Sequence, residues 1–66
     1  MRNTVKVQRA IANITQEQLA QKLGVTRQTI HAIETNKYVP STLLSLKMAQ
    51  LFQTSVHEIF ILEEGD

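Results

Sequence analysis

The 66 residues predict an all-α fold of five short helices. Three observations carry this prediction. Apolar residues recur at helical spacing along most of the chain, capping signals punctuate them at short intervals, and no segment alternates as a half-buried strand does.

The elements follow in order. Val7, Ala10, Ile11 and Ile14 recur at helical spacing and predict a first helix over residues 4–12, with these side chains inward. Thr15 is an N-cap, and Gln18 three residues later completes a capping box. Leu19, Ala20 and Leu23 form the apolar stripe of a second helix, which Gly24 ends where a left-handed backbone is needed. Thr26 caps a third helix whose inner side is Ile30 and Ile33, with Val25 at its entrance and Asn36 as terminator. Pro40 and Ser41 open a fourth, running through Leu43, Leu44, Leu46, Met48, Leu51 and Phe52, apolar enough to be largely buried. Ser55 and Glu58 read as a capping box around a fifth helix ending near Phe60, and Phe60-Ile61-Leu62 is short enough to extend as a strand.

Composition excludes several classes. A chain of this length buries only about 60% of the surface it exposes when unfolded, so it leans on regular packing or a partner. There is no cysteine, hence no disulfide and no thiolate metal site. No apolar run approaches the roughly 20 residues of a membrane span, and no leader pattern is read at the start. A soluble, cytoplasmic protein of one domain, residues 1–66, is expected. His31 and His57 lie on different helices without carboxylate or thiolate partners at ligand spacing, so no metal is expected. His57 is expected to face solvent. No Ser/His/Asp set, carboxylate dyad or Gly-rich phosphate loop is present, so neither catalytic residues nor cofactors are assigned.

The net charge of +1 conceals an uneven distribution. Glu58, Glu63, Glu64 and Asp66 crowd the end, and the first 57 residues hold seven bases against Glu17 and Glu34. That leaves +5 on the body, compatible with one face binding a polyanion. An ordinary solvated surface accounts for the charge equally well.

The spacing between the second and third helices is more telling. Gly24-Val25-Thr26 alone separates Leu23 from Arg27, the short Gly-containing connection of a helix-turn-helix. With Ile30 and Ile33 inward, Arg27, Gln28, His31 and Thr35 point outward, with Ala32 at the edge.

The run Thr15-Gln16, Leu19-Ala20, Leu23-Gly24-Val25, Ile30, Ile33-Glu34, Asn36-Lys37 and Pro40-Ser41 resembles the Cro/C1-type helix-turn-helix family, also called the XRE family. The likeness covers residues 4–60. It implies a lambda-repressor-like fold and a sequence-specific double-stranded DNA-binding regulator, usually a repressor, docking as a dimer on two half-sites. It departs from the family at Asn36, where glycine is usual, and at Gln8, where an apolar residue is usual.

Carried onto this sequence, the resemblance assigns base reading to Arg27, Gln28, His31 and Ala32. Arginine suits guanine O6 and N7, and glutamine suits adenine N6 and N7. It assigns the phosphate grip to Gln16, Thr26, Thr29, Thr35, Asn36, Lys37 and Tyr38, contacts that set register without reading sequence. It implies an Arg9–Glu34 ion pair of structural rather than DNA-facing purpose.

The Phe60-Ile61-Leu62 run cannot wholly face one small core. A symmetric homodimer is therefore expected through residues 55–66, with Val56, Ile59, Phe60, Ile61 and Leu62 in the interface. Its two reading helices would lie about 34 Å apart on a near-palindromic site. No small-molecule effector is expected in so small a chain. A second regulatory protein is a further candidate partner, and an antitoxin-like interaction module is the rival reading. Repression by covering a promoter is expected, with activation through polymerase an open alternative.

Overall fold

The computed structural model describes residues 1–66. In chain order it contains β1 (Arg2–Asn3), α1 (Val5–Ala12), α2 (Gln16–Leu23), α3 (Arg27–Glu34), α4 (Thr42–Phe52), α5 (Val56–Ile59) and β2 (Phe60–Ile61). The five helices enclose one core of Val5, Leu19, Ala20, Leu23, Ile30, Ile33, Leu44, Met48 and Ile59.

Local chemistry accounts for most boundaries. The Thr15 hydroxyl accepts from the Gln18 N–H while the Gln18 side chain accepts from the Thr15 N–H at 2.8 Å, closing the capping box. Thr26 caps α3 through the Thr29 N–H and Ser41 caps α4 through the Leu44 N–H. Gly24 ends α2 at φ +75°, with open space where a Cβ would sit, so glycine answers the backbone conformation and not crowding. Asn36 turns the chain after α3 at φ +61°. Asn13 and Gln53 adopt the same conformation after α1 and α4, which the sequence does not announce.

Four expectations need correction. In α1 the buried residue is Val5, while Ile11 is 75% exposed, and Val7 and Ala10 also face solvent. The helix is rotated so that Gln8 and Arg9 lie on its half-buried side, because Arg9 must reach Glu34 on α3. In α4 Leu44 and Met48 enter the core, but Leu43 is 65% exposed and Leu46 is exposed too, so the helix is only half covered.

The Ser55–Glu58 capping box is absent, for Ser55 makes no side-chain cap bond. Helix α5 is a single turn ending at Ile59, because Phe60 swings to extended backbone and β2 pairs antiparallel with β1, Arg2 opposite Ile61 and Asn3 opposite Phe60. An N-terminal strand has no precedent in the pattern of residues 1–4. Finally, Ile59 is fully buried in the core and offers no surface to a partner. Val56, Phe60 and Ile61 are half-buried, and Leu62 is 79% exposed.

The chain ends meet. The Met1 amino group donates to Asp66 Oδ1 at 2.7 Å and lies 3.3 Å from a Glu63 carboxylate oxygen. No helix is long and apolar enough to cross a membrane.

Candidate nucleic-acid interface

Two helices and the turn between them present the site. Leu19, Ala20 and Leu23 anchor α2, and Ile30 and Ile33 anchor α3. The turn is closed by the Val25 N–H donating to the Ala20 carbonyl at 3.0 Å. With its apolar side fixed, α3 turns Arg27, Gln28 and His31 to solvent and leaves Ala32 half-buried at the margin.

Behind them lies a polar cleft lined by Lys6, Arg9, Gln16, Arg27, His31, Glu34 and Thr35. Its floor is an ion pair. Arg9 Nε is 2.5 Å from Glu34 Oε2 and Arg9 Nη2 donates to Glu34 Oε1 at 3.0 Å, a two-pronged contact between side chains 15% and 6% exposed. Arg9 Nη1 also donates to the Ile14 carbonyl at 3.1 Å, tying the α1–α2 link to the same pair. Burial pushes the Glu34 carboxyl up. The Arg9 and Gln16 hydrogen bonds and the charges of Arg9 and Lys6 outweigh that, holding it below the usual carboxylate range. The Glu34 hydrogen bond raises the Arg9 guanidinium against a smaller desolvation effect.

Gln16 stands between this floor and the outer face. Its Nε2 donates to Glu34 Oε1 at 3.0 Å and lies 3.4 Å from His31 Nδ1, while Arg27 Nη1 lies 3.4 Å from its Oε1. Gln16, Arg27 and His31 thus form one cluster. Gln16 is also the first residue of α2, where unpaired N–H groups and the helix dipole suit an anion.

The other expected contacts are placed unevenly. Thr26 and Thr29 hydroxyls are 3.0 Å apart at the start of α3. The Thr35 hydroxyl donates to the His31 carbonyl at 2.8 Å, so its proton is engaged within the helix. Asn36, Lys37 and Tyr38 lie exposed on the loop leaving α3, held by the Lys37 N–H donating to the Ala32 carbonyl at 2.8 Å. Lys6, which the sequence reading did not single out, joins Arg9 and Arg27 around the cleft. Its signal was the three-residue spacing from Arg9, which puts both on one helix face.

The pieces can bind a polyanion and read donor and acceptor edges. No group of three or more His, Asp or Glu is arranged to hold a metal ion.

Known proteins are similar to this chain in sequence. A helix-turn-helix family model matches residues 5–59. The chain is 52% identical to an uncharacterized HTH-type transcriptional regulator of Methanocaldococcus jannaschii, over the whole of both chains. It is 48% identical to one of Bacillus subtilis, covering 97% of each. A third, from Archaeoglobus fulgidus, is 45% identical over all of this chain and 93% of its own. The chain belongs to the Cro/C1-type helix-turn-helix family of transcriptional regulators, a family of non-enzymatic DNA-binding proteins.

Proposed function

We propose that the protein is a sequence-specific DNA-binding repressor that docks as a homodimer on a near-palindromic operator, with α3 of each copy in a major groove. The observation that carries this reading is the outer face of α3. Arg27, Gln28 and His31 stand exposed on a helix whose other side is locked into the core. Donors in that position can reach base edges, while Gln16, Asn36, Lys37 and Tyr38 flank them for the backbone grip.

Dimerisation is assigned to Val56, Phe60, Ile61 and Leu62. Support comes from the large exposed area of Leu62 beside a two-stranded sheet that is too small to bury it. Double-stranded DNA and a second copy are the proposed partners. With the core filled by its own side chains, control is assigned to the protein's level or to another protein.

A second reading keeps the fold for gripping a partner protein. It draws support from Val7 and Ile11, one helical turn apart and exposed on α1.

In vitro selection from random duplex DNA tests both. The first reading expects an enriched near-palindrome with half-sites about one helical turn apart, and affinity that falls steeply with salt. Arg27→Glu should erase that enrichment. Absence of any enriched motif with folded protein would overturn the first reading, and partner capture unaffected by Arg27→Glu would support the second.

A further inference from the structure

Asn3 lies in β1, outside the helices that present the site, yet its side chain reaches the end of α3. Its Nδ2 donates to the Ile33 carbonyl at 2.9 Å and to Asn36 Oδ1 at 3.0 Å. Its Oδ1 accepts from the Val5 N–H at 3.2 Å. The same residue stands opposite Phe60 in the strand pair, and its neighbour Thr4 donates its N–H to the Ile59 carbonyl at 2.8 Å. One carboxamide, anchored from behind by β2 and α5, therefore joins the start of α1 to the turn after α3.

The bonds to the turn matter because of what the turn must do. The Ile33 carbonyl already accepts the Asn36 N–H at 3.0 Å, and Asn3 takes its second lone pair. Asn36 holds φ +61°, a region asparagine tolerates but does not favour as glycine does. Fixing both the Ile33 carbonyl and the Asn36 side chain from outside restricts the turn to this one conformation. The direction in which Lys37 and Tyr38 leave the helix follows from that turn.

We infer that Asn3 is a positioning residue for the DNA-backbone grip: it locks the left-handed turn at Asn36 and thereby aims the Lys37–Tyr38 loop. The inference rests on the DNA-binding reading. It assigns Asn3 no role in base choice, because Arg27 and Gln28 stand at the opposite end of α3, about 10 Å away along the axis at 1.5 Å per residue.

Two neutral variants separate the clamp from the bond that Asn3 accepts from the Val5 N–H. Asn3→Ser keeps an oxygen able to accept the Val5 N–H but is too short to reach Ile33 or Asn36, and Asn3→Ala removes both functions. Each is titrated with the selected operator and with unrelated duplex DNA over a range of salt, alongside thermal unfolding. Both variants should bind every duplex roughly 3- to 10-fold more weakly and lose about 1 from the salt slope. Base preferences should stay unchanged, and Asn3→Ser should unfold nearer the wild-type temperature than Asn3→Ala. Folded Asn3→Ser with wild-type affinity and salt slope would overturn the inference, as would altered base preference. Wild-type protein that selects no DNA instead sinks the reading beneath it, and that control comes first. Faster hydrogen exchange at the Lys37 amide in Asn3→Ser reads the turn directly, without DNA, and an unchanged rate counts against the clamp.

Discussion

Gln16 donates to Glu34 across the helix-turn-helix at 3.0 Å, and the carboxylate that receives this bond is the one Arg9 holds from α1. Three helices therefore meet on a single carboxylate just behind the face assigned to DNA. An acid so close to a phosphate backbone would repel it if bare. Bonded by Arg9 and Gln16, its charge is neutralised inside the fold, and it serves to hold α1, α2 and α3 in one arrangement.

Removing the arginine should expose that dependence. Arg9→Ala leaves a nearly buried carboxylate without its cation, and urea unfolding should show a loss of about 2 kcal/mol, less than the 3–5 of a fully buried pair. The double change Arg9→Met with Glu34→Leu should recover most of it. Equal losses in the single and double variants would show that the pairing itself is not what the single change removes.

Acid should act through the same group. Glu34 titrates below its ordinary value of 4.5 in the folded state, so the unfolded chain binds the extra proton and stability rises with pH in that window. The contribution is complete above about pH 4.5 and is lost as pH falls through the lowered folded value. Urea midpoints measured from pH 6 downward, at values set by the ordinary carboxylate range, should fall less steeply for Glu34→Gln than for the wild type.

Base reading and backbone grip should separate cleanly. Gln28→Ala should relax preference at one operator position by about 1–3 kcal/mol of discrimination and leave the others alone. Lys37→Ala should weaken all duplexes alike and reduce the salt slope by about 1. Repeating the selection and the salt titration on both variants measures the two effects, and a shifted motif for Lys37→Ala would contradict the assignment.

Leu62 and Ile59, three residues apart, should behave oppositely. Leu62→Ser removes an exposed apolar side chain, so sedimentation should show a weaker dimer while the fold keeps its stability. Ile59→Ala opens a cavity in the core and should cost about 2–5 kcal/mol. A Leu62→Ser protein that sediments as the wild type does would remove the C-terminal segment from the proposed interface.

What the sequence determined is local. Thr15, Thr26 and Ser41 each carry a cap oxygen, Gly24 carries the freedom for a left-handed exit, and Leu19, Leu23, Ile30 and Ile33 carry the spacing. These are interactions within a few residues, so the helix-turn-helix and its outward Arg27, Gln28 and His31 were legible from the chain alone. The rotation of α1 was not, because Val7 and Ile11 make as good an apolar stripe as Val5 does. The rotation adopted buries Val5 and joins Arg9 to Glu34, the pair that the resemblance implied. The end of α5 near Phe60 and an extended stretch beyond it were legible, but the partner of that stretch was not: Phe60 pairs with Asn3, remote in sequence and adjacent only after folding. Contacts of that range leave no periodicity in the chain, so only the tertiary structure placed Ile59 inside, Leu62 outside and Asn3 against the turn at Asn36.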